Sequence, residues 1–219
     1  LLSNSFGKYF SHKELSPPAQ LAANQVIEFY GASSVLSASS SNTGVQVAVT
    51  EPMAFQAALP ANMPYTAIIN RGISGATAPD WLYGSPNIPI TWSKQMANSK
   101  ASIVIMQIGI NDMNTYLLTE YLNALTELVK QTRAAGKVMI LETPGPADNG
   151  ALDPFAHGMI DLAAKLNVPL IDQYSYWNAY MATNNVAIRT LAPDGTHSSD
   201  AWHIQKGQCA ASVFAQYFP

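Results

Sequence analysis

The chain has 219 residues, 48% of them hydrophobic, enough for one sizeable core and within the usual size of a single domain. Only 11% are charged, for a formal net charge of −3, against roughly 25% in ordinary soluble domains, and no Lys/Arg block offers a footprint for nucleic acid or an anionic membrane. The longest apolar run, 102–110, falls far short of the roughly 20 residues of a membrane span, and the single cysteine, Cys209, excludes an intrachain disulfide and reads as a buried small hydrophobe.

Residues 1–24 mix aromatic, Ser and Pro residues without periodicity and read as an arm or linker, leaving 25–219 as one domain. A first strand is expected over 26–30, followed by a charge-free, serine-rich stretch over 31–50 that reads as a long loop. Pro52 suits a first helical position, with a short helix over 53–59. A second strand over 65–70 leads into Gly72 and Gly75, and a third over 102–108 leads into Gly109-Ile110-Asn111-Asp112.

The spacing of Leu118, Tyr121, Leu122, Leu125, Leu128 and Val129 predicts a helix over 117–135, ended by Gly136. A fourth strand over 137–142, a helix over 154–166, a fifth strand over 168–171 and a final helix over 201–217 follow. Strands that alternate with helices and read as continuous apolar runs predict a parallel sheet covered on both faces. A ligand site then belongs at the carboxyl ends of the strands, where Gly31 to Ser34, Gly72 to Gly75 and Gly109 to Asp112 converge.

Acyl transfer needs a nucleophile, a base, an orienting acid and donors for the developing oxyanion. Ser33 follows the first strand in Gly31-Ala32-Ser33-Ser34, where a glycine permits a sharp bend; a solvated loop serine is the plainer reading. Asn111 either donates its amide to an oxyanion or caps the next turn, and Gly75 either offers an unhindered N–H or simply makes a turn. Asp194-Gly195-Thr196-His197 is the most pointed arrangement. A carboxylate and an imidazole three residues apart about a glycine can pair, the acid fixing the ring's tautomer. His12, His157 and His203 read as surface residues, and no metal-ligand spacing is present, so no metal is expected.

In order, these segments read Gly31-Ala32-Ser33, Asn70-Arg71-Gly72-Ile73-Ser74-Gly75, Gly109-Ile110-Asn111-Asp112 and Asp194-Gly195-Thr196-His197. Over residues 26–217 the chain resembles the SGNH or GDSL-like hydrolases, whose blocks are a Gly-Asp-Ser turn, Asn-x-Gly-x-Ser-Gly, Gly-x-Asn-Asp and Asp-x-x-His. The resemblance implies a flavodoxin-like three-layer α/β/α sandwich around a mainly five-stranded parallel sheet. It further implies Ser33 as nucleophile, His197 as base and then acid, Asp194 as its orienting partner, an oxyanion hole from the Ser33 and Gly75 amides and the Asn111 side chain, and no need of a cofactor. One departure stands out: Ala32 replaces the family's aspartate, which puts the geometry of the turn in question and makes Ser34 a rival nucleophile.

The activity expected is ester hydrolysis that removes small acyl groups such as acetyl from a small molecule or a glycan. The aromatics Trp81, Tyr83, Trp92, Tyr116 and Trp177 would suit sugar rings if exposed. A lipase, lysophospholipase or thioesterase, with the stretch over 34–50 walling an acyl channel, is the alternative within the class; a binding or structural module with weakened activity is the alternative outside it. Low charge and scarce cysteine suit an extracytoplasmic protein or a piece of a larger surface or particle protein.

Overall fold

The computed structural model describes residues 25–40, 45–63, 65–148 and 150–218; the expected arm over 1–24, with His12 in it, lies outside the described residues. Five strands, β1 (Gln25–Gly31), β2 (Tyr65–Asn70), β3 (Ile103–Gln107), β4 (Val138–Glu142) and β5 (Leu170–Ile171), stand in the order β2-β1-β3-β4-β5. Every pairing is parallel. Helices α1 (Ser33–Leu36) and α2 (Glu51–Ala58) join β1 to β2, and α3 (Ala78–Tyr83) and α4 (Trp92–Asn98) join β2 to β3. Helix α5 (Leu118–Ala134) leads to β4 and α6 (Asp153–Leu166) to β5, after which come α7 (Gln173–Asn184), α8 (Ile188–Leu191) and α9 (Asp200–Tyr217).

The two-residue period of a strand decides which layer each side chain meets. Tyr30, Val104, Met106, Met139 and Leu141 face one core with Trp81, Trp92, Leu125, Leu128, Phe155 and Met159, contributed by α3 to α6. Their neighbours Ile27, Phe29, Ile103, Ile105 and Ile140 face the other, with Phe55 of α2 and Ala210, Val213 and Phe214 of α9. The chain thus has the expected three-layer α/β/α form. The strand order reverses between β1 and β3, which opens a crevice at their carboxyl ends.

Several elements differ from the sequence reading. The stretch over 31–50 is not all loop: Ser33–Leu36 forms one helical turn, closed by Ser37 at φ 61°. Helix α2 starts at Glu51, capped by Thr50, whose side chain accepts the Met53 amide. Helices α3, α4, α7 and α8 were not anticipated. Trp81, Trp92 and Trp177 are fully buried core residues and so cannot serve as sugar platforms. Tyr30 packs edge-on against both Trp81 and Trp92, at 5.1 and 4.9 Å between ring centroids, while the Trp92 Nε1–H donates to Leu128 O and Thr132 Oγ1. Tyr83 does stand exposed.

Helices α2 and α9 meet backbone to backbone at Gly207, where an added Cβ would lie 2.5 Å from Glu51 O and 2.6 Å from both Ala54 Cβ and Phe55 N. Overpacking of this kind costs about 1–3 kcal/mol, against roughly 1 kcal/mol gained in helix propensity. Gly207→Ala is therefore expected to lower stability by up to about 2 kcal/mol in urea unfolding; a raised midpoint would show that the two helices can separate freely.

Candidate active site

β1 ends against β3 at Gly31, where a Cβ would lie 2.0 Å from Gln107 O, so only glycine fits. The chain then turns through Ala32, buried in the core, into α1. Ser33 opens that helix, so its amide has no carbonyl four residues back to donate to. Its hydroxyl lies 3.0 Å from His197 Nε2. His197 Nδ1 in turn lies 2.7 Å from Asp194 Oδ2. Ser34 is only partly buried, and it is Ser33 that meets the imidazole.

The Asp194 to His197 turn is organised by its own carboxylate, whose Oδ1 accepts the amides of Thr196 (2.9 Å) and His197 (2.6 Å). Partial burial pushes the Asp194 carboxyl up, but the His197 and Thr196 amides and the imidazole outweigh it and hold the group below the usual carboxylate range. Asp194 is thus anionic beside an imidazole whose other nitrogen faces the hydroxyl.

The other two predicted residues meet in a neighbouring loop. Asn111 does not cap the 3₁₀ turn Asp112–Asn114; its Nδ2 donates to Ala76 O at 2.9 Å, next to Gly75. Gly75 has φ 77°, a left-handed conformation suited to glycine, and its amide finds no acceptor among the described residues. Asn70 joins this loop to the serine helix: its Nδ2 donates to Val35 O (2.8 Å) while its Oδ1 accepts the Gly72 amide (2.9 Å). The Ile73 amide also donates to Gly31 O.

Residues 38–203 match the model of the GDSL-like lipase/acylhydrolase family. The chain belongs to that family. It is a carboxylic ester hydrolase, and the matched span begins five residues beyond Ser33. An acetylxylan esterase from Geobacillus stearothermophilus is 28% identical over 155 residues, covering 63% of this chain and 67% of the relative. The fold is shared with solved structures. A catalytic mutant of an acetylxylan esterase from the same organism superposes with TM-score 0.69 at 21% identity, covering 92% of this chain and 98% of the other. A carbohydrate acetylesterase family member from Sinorhizobium meliloti gives 0.67 at 17%, covering 88% and 98%, and the M. smegmatis aryl esterase gives 0.67 at 16%, covering 89% and 100%.

Around the Ser33, His197 and Asp194 side chains the structure adds residues that sequence reasoning missed. The Asp148 amide donates to Gly195 O at 3.0 Å, and Arg189 Nε donates to Asp148 Oδ2 at 2.8 Å, so the segment after β4 braces the Asp194 to His197 turn. A hollow of about 260 Å³ lined by Asp148, Arg189, Asp194, Gly195 and Thr196 adjoins it. Neither Asp148 nor Arg189 lies in a motif, so no local signal marks them. His157 is exposed as expected, whereas His203 is fully buried, because α9 turns it inward toward the serine segment. Among the described residues no three His, Cys, Asp or Glu side chains cluster to hold a metal ion, and no helix is long and apolar enough to cross a membrane. Cys209 is buried.

Asp112, the last residue of the third block, is fully buried. Its Oδ1 accepts the Ala78 amide at 2.8 Å, while Oδ2 has no partner. Burial pushes its pKa from 3.8 up to about 6 despite that amide. Its raised folded value gives a contribution that is complete below the unfolded pKa and declines as pH rises toward 6. Across that window wild-type stability should lose about 2–3 kcal/mol from this group. In Asp112→Asn the decline between pH 4 and 6.5, followed by chemical denaturation, should be shallower by that amount; identical slopes would show that Asp112 titrates alike in the folded and unfolded chains.

Proposed function

We propose that the protein is a serine esterase that removes small acyl groups, acetyl foremost, from a carbohydrate through an acyl-enzyme. The observation that carries the mechanism is the relay from Ser33 Oγ through the His197 ring to Asp194, at 3.0 and 2.7 Å. Neutral His197 takes the Ser33 proton at Nε2 as Oγ attacks the ester carbonyl. Asp194, held anionic, fixes the tautomer with the proton on Nδ1 and stabilises the imidazolium that forms.

The oxyanion of the tetrahedral intermediate is received by the Ser33 amide, the Gly75 amide and the Asn111 side chain. Asn111 spends one amide hydrogen on Ala76 O and retains a second for the substrate. Collapse expels the alcohol, protonated by His197, and leaves the acyl group on Oγ. Water, deprotonated by His197, then attacks the acyl carbon, releasing the carboxylic acid and restoring Ser33. No redox step or cofactor enters this sequence of bond changes.

The acyl and alcohol classes are supported by the relatives. The matched acetylxylan esterase and the superposed carbohydrate acetylesterase act, by their names, on acetylated sugars. With Trp81, Trp92 and Trp177 in the core, sugar recognition must rest on exposed polar groups rather than on those rings. Low charge and a single cysteine support placing the protein outside the cytoplasm.

Turnover of 4-nitrophenyl acetate, butyrate and longer esters, with acetylated xylo-oligosaccharides alongside, tests this reading. The rate should fall as the acyl chain lengthens, and Ser33→Ala should lose at least about 10³-fold in kcat. Equal turnover by wild type and Ser33→Ala would reject the mechanism, and a rate rising with chain length would reject the acetyl preference. Asn111→Ala should reduce kcat by about 10²–10³-fold with the protein still folded, and a kcat within twofold of wild type would remove Asn111 from the oxyanion site.

A further inference from the structure

Helix α9 carries two polar side chains on its buried face, one helical turn apart, that the mechanism does not use. His203 Nε2 donates to Ala38 O at 3.3 Å. Lys206, 1% exposed, pairs through Nζ with Glu51 Oε2 at 2.6 Å and also donates to Gln107 Oε1 at 3.3 Å. Both anchors lead back to the nucleophile segment. The Ala38 amide donates to Ser33 O, the Glu51 amide donates to Ser37 Oγ at 3.0 Å, and Gln107 pairs with Gly31 at the end of β1.

Stability is a poor explanation for such groups. A buried ion pair rarely gains over an apolar pair of similar volume, because removing two charges from water consumes most of the attraction. Here a second carboxyl is buried beside the pair: burial first, and the Glu51 charge second, push the Glu142 carboxyl well up, so it is neutral. His203 is pushed down to about 3 by burial and then by the Lys206 charge, so its ring is a neutral donor at physiological pH, with Nδ1 left unpartnered. Directional bonds do something that apolar packing does not: they fix register. α9 begins immediately after Ser199, two residues from His197.

We propose that His203 and Lys206 are positioning residues, which pin α9 to the segment behind Ser33 and thereby set the reach of His197 Nε2 to the nucleophile. The inference rests on Ser33 and His197 being nucleophile and base, and concerns what holds them in register. A base displaced by a fraction of an ångström loses rate at the chemical step, since near-attack geometry is steeply distance-dependent, while substrate binding is unaffected.

The test compares His203→Leu, which removes the donor, with His203→Gln, which keeps one, and with the paired change Glu51→Gln/Lys206→Met, which removes both charges together. Each is assayed on 4-nitrophenyl acetate beside wild type and Ser33→Ala, below its own melting temperature. His203→Leu and the paired variant should each lose about tenfold in kcat with KM within twofold, and His203→Gln should recover to within threefold of wild type. A folded His203→Leu with wild-type kcat, or His203→Gln as impaired as His203→Leu, would overturn the role of His203. Wild-type kcat in the paired variant would overturn that of Lys206, and does so whether or not His203→Leu folds. If Ser33→Ala itself retains full activity, the nucleophile assignment has failed instead, which separates the two readings.

Discussion

The contact between Ser33 Oγ and His197 Nε2 joins positions 164 residues apart, and neither side chain could hold that geometry by itself. On one side the serine is fixed because β1 ends flush against β3 at Gly31 and the chain is forced into a single helical turn. On the other, the histidine sits in a turn tied by the Asp194 carboxylate to two backbone amides, just before α9. What sets the distance between them is the seating of α9 on α2, made close by Gly207 and directional by the buried polar groups at its flank. The sheet contributes the frame. Its reversal between β1 and β3 opens the crevice, and the loops after β1, β2 and β3 enter it from separate strands.

Buried polar groups in this protein are concentrated where loops must be aimed. Glu28, in the middle of β1, accepts from Tyr30 OH, Ser99 Oγ and Arg71, so the start of the Arg71 to Gly75 loop is tied to the strand beside it. Asp112 and Asn111 hold the far end of the same loop through Ala78 N and Ala76 O. Asn70 links it to the serine helix. Together these bonds hold the loop beside the serine helix, while at position 32 a buried alanine leaves nothing polar to satisfy. The serine turn is braced at the carbonyls of Val35, Leu36 and Ala38, which accept from Asn70, Gln46 and His203.

The parallel sheet and the long helices α5, α6 and α9 were legible because their apolar spacing is sustained, and the four blocks because chemistry restricts which residues can stand at strand ends. Short elements were not. α1 has four residues and no amphipathic stripe; only tertiary contacts make it a helix. α3 and α4 carry their tryptophans into the core but are too short to show a sustained apolar period, although Thr77 and Asp80 form a capping box whose spacing is visible in the sequence. α7 likewise shows Asp172 in a capping position. His203 was misread as a surface residue because a lone histidine carries no pattern. Taken with Lys206, Ala210, Phe214 and Tyr217, it falls on the inward face of α9, and the charged member of that series was the overlooked signal. Asp148 and Arg189 act across loops, which no local spacing encodes.

In the proposed mechanism Ser33 is the activated nucleophile. A fluorophosphonate transfers its phosphonyl group to such an oxygen with loss of fluoride, so mapping the modified peptide by mass spectrometry reads the site directly. One phosphonyl group per chain is expected, on Ser33, absent from Ser33→Ala and strongly slowed in His197→Ala. Labelling of Ser34 or another residue, or labelling at Ser33 that proceeds equally fast without His197, would contradict it.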